Sequence, residues 1–211
     1  MNVPEKTVSN ISSFLKYVED ECDSKKGMLL FRGQSQDWGL LPKIGRHDVI
    51  VKDKKFLTIE QKIFEQFQLT SRPFLTDKDN PQNAWEWLAL AQHHGLWTRL
   101  LDWTTNSFGA LWFAVRDPGS SDGVVWIFQP KEENFVTSKD RNPFDCGKTK
   151  IFQPTHITKR IMSQSSWFTV HRYIKKEENP IFIPLQNNKV HSGCLRKIRI
   201  PSSCFHLISY H

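Results

Sequence analysis

The sequence predicts an α+β fold in which helices and one short strand come first and a β-rich half follows. Helical periodicity dominates up to residue 115, whereas four short apolar runs after residue 122 are typical of strands. Because helices and strands do not alternate regularly, we expect an antiparallel or mixed sheet rather than parallel βαβ units. A chain of 211 residues can bury a real core, so we predict a single domain over residues 1–211.

The first predicted elements are an amphipathic helix and a buried strand. Apolar residues recur at helical spacing at Ile11, Phe14, Leu15 and Val18. Ser9 or Asn10 can cap this helix. The short apolar run 28–31 lies between glycines and predicts a strand that carries Arg32 at its far end.

Two further helices are predicted before residue 95. Residues 58–61 have the spacing of a capping box, and an inward stripe is predicted at Ile59, Ile63 and Phe67. The next helix opens at Asn83, and its shared face is predicted to carry Trp87, Ala91 and His94. Gly95 stands where a C-terminal cap belongs.

A strand-like run, residues 98–103, leads into the last predicted helix. Thr105 or Asn106 can cap that helix. Its buried side is predicted at Phe108, Leu111, Trp112 and Val115. Later strands are predicted at 123–128, 166–171, 181–185 and 195–200, with a long surface loop over residues 130–150.

Composition limits the class of protein. The net charge of +7 makes a phosphorylated small molecule or a nucleic acid a reasonable partner. The four cysteines form no Cys-x-x-Cys pair and no histidine follows at finger spacing, so we predict no metal site. The N-terminus lacks an apolar signal region, and no apolar run approaches the roughly 20 residues of a membrane helix. We therefore expect a cytoplasmic protein without a membrane partner.

The densest group of reactive side chains runs from Gln92 to Asn106. A second, smaller group lies far away in the sequence, at residues 32–34 after the first apolar run. The candidate ligand contacts are Arg32, Gln34, Gln92, His93, His94, Thr98, Arg99 and Thr105. The planar guanidinium of Arg32 suits a phosphate, but it could equally pair with a structural carboxylate. The two histidines could perform acid–base chemistry with Asp102, or they could simply cap the helix C-terminus.

Asp102 and the threonines after it allow two interpretations. Asp102 lies between Leu101 and Trp103, so we expect it to be partly buried and paired with Arg99 or Arg32. Thr104 and Thr105 precede a helix, where hydroxyl and backbone N–H groups can contact an anion or a ribose, or can serve only as a cap. Our interpretation is a half-pocket, braced by Arg99 and Asp102, that Arg32 completes.

These segments resemble the FRG domain, a family named for its first tripeptide. The resemblance is carried by Phe31-Arg32-Gly33, by residues 92–96 and 98–104, and by the Ala-Leu-Trp-Phe-Ala run at 110–114. Residues 160–171, including Gln164, are similar to a later segment of the family. Two features depart from the family pattern. Trp97 stands where the family usually has proline. The chain stops at His211, soon after Pro201, where relatives tend to continue, so we expect a shortened member of the family.

A more distant similarity links the chain to ADP-ribosyltransferases of the Arg–Ser–Glu type. Arg32, Thr104 and Gln164 occur in the order of that motif. The resemblance implies that Arg32 holds the dinucleotide, that Thr104 shapes the nicotinamide pocket and that Gln164 takes the place of the catalytic glutamate. Gln164 can form a hydrogen bond but lacks the negative charge, so Asp102, Glu177 or Glu178 would have to supply it.

Three functional hypotheses follow. The first is a nucleotide-type pocket for NAD as substrate, used by an ADP-ribosyltransferase or NAD glycohydrolase in phage–host conflict. The second is a non-catalytic module that binds nucleic acid or nucleotide through basic and tryptophan side chains. The third is a hydrolase or nuclease that uses His93, His94 and Asp102, although their spacing matches no metal motif.

Overall fold

The computed structural model describes residues 3–21, 27–46, 56–76, 80–117, 121–154, 166–174 and 181–209. Its helices within these ranges are α1 (Ile11–Glu21), α2 (Phe56–Ser71), α3 (Ala84–His93), α4 (Ser107–Val115) and α5 (His206–Ser209). Its strands there are β1 (Glu5–Thr7), β2 (Leu30–Gln34), β3 (Leu100–Thr104), β4 (Gly123–Phe128), β5 (Lys150–Phe152), β6 (Ser166–Val170), β7 (Tyr173–Ile174), β8 (Ile181–Phe182) and β9 (Leu195–Ile200). The predicted α+β class is confirmed.

The chain divides into two compact units. Unit 1 contains Met1–Leu40, Trp103–Glu133 and Leu185–His211, and unit 2 contains Leu41–Asp102 and Asn134–Pro184. Strand β3 begins in unit 2 and ends in unit 1. The prediction of a single domain stays a prediction.

Unit 1 is built on a mixed sheet with the strand order β1-β9-β4-β2. β1 runs parallel to β9, whereas β9 is antiparallel to β4 and β4 is antiparallel to β2. On the far side of β2, Phe31 pairs with Thr104 at the end of β3. The predicted strands 123–128 and 195–200 are confirmed with these bounds, whereas the short edge strand β1 was not predicted.

Helix α4 packs on β2 and β4 through a face of small residues. An added Cβ at Gly33 would overlap the carbonyl oxygen of Ala110, and one at Gly123 would overlap that of Ala114. The buried face of the helix consists of Ala110, Leu111, Ala114 and Val115. The predicted buried positions Phe108 and Trp112 are instead 52% and 56% exposed, because alanines allow the close approach to the sheet and large side chains do not.

The predicted first helix is confirmed as α1. The side chain of Asn10 accepts a hydrogen bond from the backbone N–H of Ser13 at 2.8 Å, so Asn10 is the capping residue. Phe14 is fully buried, and Ile11, Leu15 and Val18 pack against the same core. That core also contains residues from β2, α4, β4 and β9 and from α5 with the residue before it, namely Phe31, Ala110, Leu111, Ala114, Val115, Val125, Ile127, Ile198, Ile200, Phe205 and Ile208.

The strand that carries Arg32 begins and ends later in the sequence than predicted. The predicted run 28–31 begins with an exposed Met28, and the observed strand β2 extends from Leu30 to Gln34. Arg32 is therefore in the middle of the strand instead of at its far end. Backbone pairing with residues 124–128 of β4 continues the strand past the last apolar residue.

Unit 2 contains the first three residues of β3 together with β6 and β5 as neighbouring strands, and the helices α2 and α3. Helix α3 agrees with the prediction, because Asn83 caps it and Gly95 follows its end with a φ of 89°. The predicted capping box of α2 is wrong, because the helix already begins at Phe56. Among the described side chains of α2, Glu60 and Phe64 are buried and Phe67 packs against the core as predicted. Ile63, which was also predicted to face inward, is 47% exposed.

Two predictions for the later part of unit 2 need correction. Residues 130–150 are not only a surface loop, because Asn134, Cys146 and Thr149 are buried and Phe135 bridges Ile151. The predicted strand 166–171 ends at Val170, and the predicted strand 181–185 is reduced to β8. Within the described ranges, no helix combines the length and the apolar character needed to cross a membrane.

Candidate functional site

Strand β2 presents different side chains to its two sides. Side chains alternate along a strand, so Phe31 and Gly33 point toward α4, where Phe31 joins the core. Arg32 and Gln34 share the opposite side. On β4 their direct partners in the pairing are Trp126 and Val124. Arg32 and Gln34 therefore lie on a strand that is hydrogen-bonded to β4, which limits their movement.

Gln34 is the most informative polar side chain on this side of β2. It is only 3% exposed, and its Oε1 accepts a hydrogen bond of 3.0 Å from the indole Nε1 of Trp126. Within the described part of the chain, its Nε2 has no hydrogen-bond partner. Leaving a buried amide donor unsatisfied costs about 1–3 kcal/mol, so pairing of this Nε2 with an acceptor would be favourable.

A charged network occupies β9 and β1 beside Trp126. Lys197 Nζ lies 5.5 Å from the centre of the Trp126 ring and contacts Glu5 at 2.6 Å and Asp37 at 2.9 Å. Arg199 contacts the same two carboxylates, at 2.6 and 2.8 Å. The hydrogen bond from Arg199 lowers the pKa of Glu5 despite partial burial. Burial raises the pKa of Asp37, but the bonds and charges of Lys197 and Arg199 outweigh it, and the net shift is downward.

Thr104 lies on the other side of the sheet from Arg32. It pairs directly with Phe31, and paired residues in an antiparallel ladder project to the same side. Its Oγ1 accepts a hydrogen bond of 3.0 Å from the backbone N–H of Asn106. The side chain of Asn106 in turn accepts from the N–H of Gly109 at 3.0 Å. Asn106 is therefore the cap of α4, and the neighbouring Thr105 is exposed.

Of the two partners expected for Asp102, Arg99 and Arg32, Arg99 pairs with Glu60 instead. Asp102 is exposed instead of partly buried, because it occupies the alternate side of β3 from Leu101 and Trp103. Arg99 is 1% exposed and forms a two-bond pair with the buried carboxylate of Glu60. Its Nη1 also donates to the carbonyl of Phe144 at 3.3 Å. Arg99 therefore braces the interior of unit 2.

The remaining residues of the central stretch form the end of α3 and the turn after it. Thr98 is buried; its hydroxyl donates to Oε1 of Gln92 and accepts from the N–H of Leu100 at 3.1 Å. His94 is exposed, and its ring centre lies 5.3 Å from that of His93. Gln92 and Thr98 thus tie the helix end to β3, and the two histidines lie at the helix C-terminus.

The catalytic and metal-binding hypotheses also involve side chains other than the described residues. Gln164, Glu177 and Glu178 lie outside those residues, so the predicted role of Gln164 stays a prediction. Within the described ranges, no group of three or more His, Cys, Asp or Glu side chains is arranged to hold a metal ion. Burial raises the pKa of the Cys146 thiol to about 11, so its nucleophilic thiolate is scarce at neutral pH.

Trp126 and Lys197 are parts of the Arg32 side that sequence reasoning missed. Trp126 belongs to an apolar run in which every residue is buried, so nothing distinguishes it from core. Lys197 is a basic residue in an alternating strand and is separated from Gln34 by most of the chain. The pairing of β2, β4 and β9 is the signal that brings these residues together.

The fold and these positions define an α+β protein with a mixed sheet whose second strand carries the aromatic-Arg-Gly tripeptide. Residues 27–123 match the family model described as FRG domain, so the chain carries an FRG domain over these residues. This range extends from the turn before β2 to the first residue of β4 and confirms the resemblance drawn from the motifs. No curated protein matches the chain, and no solved structure does.

Proposed function

We propose that this FRG-domain protein binds a nucleotide of the NAD type through Arg32 and Gln34. The observation that carries the proposal is the Nε2 of Gln34, a buried amide donor with no hydrogen-bond partner among the described residues. Its other amide atom is held by Trp126, so the side chain is oriented before a ligand arrives. A preoriented donor loses little entropy on binding, which favours affinity.

Arg32 supplies the charge that a nucleotide needs. It lies two residues before Gln34 on the same side of β2, so their Cα atoms are about 7 Å apart. The planar guanidinium can donate two parallel hydrogen bonds to a phosphate, while the amide of Gln34 suits a ribose hydroxyl or a base. The pair therefore matches a ligand with a phosphate next to a sugar.

The reaction proposed for such a ligand is cleavage of the bond between ribose C1′ and the nicotinamide nitrogen. Nicotinamide leaves with the bonding electron pair, and C1′ is taken either by water, as in an NAD glycohydrolase, or by an acceptor nucleophile, as in an ADP-ribosyltransferase. Positive charge develops on the ribose and requires a nearby negative group. A cytoplasmic role in phage–host conflict is the setting proposed for this activity.

The binding test is calorimetry with NAD⁺ and ADP-ribose. Wild type is expected to bind both, and Arg32→Ala is expected to weaken binding by about 10- to 100-fold, the value of one or two charge-assisted hydrogen bonds. Arg196→Ala is the control, because Arg196 is on β9 of the same sheet but alternates to the side opposite Lys197. A thermal melt confirms folding of each variant. Equal affinity of wild type and Arg32→Ala would overturn the proposal.

A separate assay distinguishes turnover from binding. Release of nicotinamide is measured in the same mixtures by chromatography. Release that disappears in Arg32→Ala would support a glycohydrolase or transferase. Binding without release would limit the function to a nucleotide-binding module.

A second candidate function is binding of single-stranded nucleic acid on the outer side of α4. Phe108, Trp112 and Phe113 are each more than 40% exposed there, and Arg116 lies 5.4 Å from the centre of the Trp112 ring. Exposed aromatic rings stack on bases, and an adjacent Arg contacts phosphate. Titration with a short oligonucleotide at increasing salt tests this candidate, because phosphate contacts make affinity fall steeply with ionic strength. Unchanged binding in Trp112→Ala would reject it.

A further inference from the structure

Unit 2 contains an aromatic cavity that the Arg32 proposal does not use. Its volume is about 320 Å³. It is lined by Asn83, Trp85, Glu86, Phe135, Val136, Ile151, Phe152, Gln153, Pro154 and Trp167. Pockets for small ligands commonly occupy about 300 to 1,000 Å³, so this cavity suits a ligand of few atoms.

Four aromatic rings form its walls as two edge-to-face pairs. The ring centres of Trp85 and Phe152 are 5.2 Å apart at an interplanar angle of 61°. Those of Phe135 and Trp167 are 5.6 Å apart at 81°. The two rings of each pair therefore have different orientations, and both pairs line the same cavity. The faces of aromatic rings are electron-rich, so walls of this kind attract a cation.

The charge of the lining favours the same class of ligand. Glu86 is an acidic residue of the lining, and none of the lining residues that the structure describes is Lys, Arg or His, although the chain as a whole carries a net charge of +7. Glu86 is 7% exposed and accepts a hydrogen bond of 2.6 Å from the N–H of Gln82. An anionic ligand would be repelled here.

The position of Glu86 is fixed by the start of α3. The side chain of Asn83 accepts hydrogen bonds from the backbone N–H of both Trp85 and Glu86, at 3.1 and 3.0 Å. The indole Nε1 of Trp85 donates to the carbonyl of Asp140 at 2.9 Å. The helix cap therefore holds one aromatic wall and the carboxylate together, and the cavity is organised without a ligand.

We propose that this aromatic cavity binds an organic ammonium group carrying methyl substituents. Such a group is positively charged and apolar on its surface, which matches a carboxylate among aromatic rings. The group can be carried by a small amine or by a trimethylated lysine side chain, which have the same chemistry. This site is independent of Arg32 and Gln34.

The test compares choline with 3,3-dimethylbutan-1-ol, in which carbon replaces the charged nitrogen at nearly the same shape. Binding is measured by calorimetry on the full chain. Choline is expected to bind at least about tenfold more tightly than the neutral alcohol, because the cation–π attraction requires the charge. A peptide with trimethyllysine and its unmodified counterpart form the second arm and distinguish the two sources. Equal binding of choline and the alcohol, or no binding of choline and of either peptide, would overturn the proposal.

Variants assign the binding to the cavity. Glu86→Gln keeps an acceptor for Gln82 but removes the charge, so affinity for the ammonium probe that binds is expected to fall about tenfold. Trp167→Leu is expected to abolish binding, whereas Trp167→Phe keeps an aromatic face and retains part of it. Trp38→Leu in unit 1 is the control, because Trp38 is 46% exposed outside this lining. Unchanged affinity in both Glu86→Gln and Trp167→Leu, with intact thermal melts, would contradict the assignment.

Discussion

Arg99 shows why a dense stretch of reactive residues does not identify a ligand site by itself. Its partner Glu60 is 39 positions away in the sequence, on a helix whose predicted inward face did not include it. Both side chains are buried, and the guanidinium also lies 4.9 Å from the ring centre of Phe144. No local spacing could reveal this pairing, which became visible only once α2 was placed.

The buried pair makes a residue-scale prediction for stability. Glu60→Ala leaves the guanidinium of Arg99 buried without its carboxylate, so we expect the free energy of unfolding to fall by about 3–5 kcal/mol. Urea denaturation followed by far-UV circular dichroism measures the change. The control is Glu65→Ala, an exposed position on the same helix, for which less than about 0.5 kcal/mol is expected. Similar losses in the two variants would refute the bracing role.

The position of Gln34, unlike the pairing of Arg99, is partly predictable from the sequence. The sequence places it two residues after Arg32, and strand alternation alone predicts that the two share a side once the strand is known to continue. The sequence could not predict that Trp126 would hold one end of the amide, because β4 is distant along the chain. The unsatisfied Nε2 is therefore a property of the packed structure.

At the scale of elements, contact between α4 and the sheet depends on two glycines. Helical periodicity alone placed Phe108 and Trp112 in the core, but the sheet surface below the helix has no room for them. Gly33 and Gly123 allow the backbone of α4 to approach β2 and β4 directly. The small residues of the helix, not its largest ones, therefore determine which side is buried.

Gly33→Ala tests this close approach. The added methyl group would overlap the carbonyl oxygen of Ala110, so the helix must shift, and we expect a loss of about 1–3 kcal/mol in the free energy of unfolding. Gly147→Ala is the matched control, because a Cβ there meets nothing within 4 Å. Both are measured by denaturant unfolding. A Gly33→Ala variant as stable as the control would show that the contact is not required.

The ion pairs between β1, β9 and Asp37 predict a dependence on pH. The folded-state pKa values of Glu5 and Asp37 are lowered, so their stabilisation is complete above the unfolded values of about 4 and is lost as pH falls through the folded values. We expect the Tm to drop progressively as the pH falls below about 5, and to drop less in Glu5→Gln. The effect is modest because solvent screens these groups. Identical pH profiles for the two proteins would exclude a contribution of Glu5.

For the whole molecule, the sequence predicted the class of fold and the elements with strong local signals. The caps Asn83 and Gly95, the helix α1 and the strands β4 and β9 were all evident from spacing or composition. The edge strands β1 and β5 were missed because three residues carry no periodicity, and their pairing partners are distant in sequence. The FRG motif was identified correctly, but which of its residues share one side of a strand depended on register.

The most direct test of the central claim is the indole region of a ¹⁵N–¹H correlation spectrum during titration with NAD⁺. The Trp126 indole N–H donates to Gln34, so a ligand that bonds to the amide of Gln34 must change the Trp126 resonance. Phe substitutions at Trp126 and Trp112 assign the two signals. We predict that the Trp126 signal shifts with saturation, that the exposed Trp112 signal does not, and that Gln34→Glu, which keeps the acceptor but loses the donor, abolishes the shift. A Trp126 signal that stays unchanged at saturating NAD⁺, or a shift confined to Trp112, would contradict the proposed site.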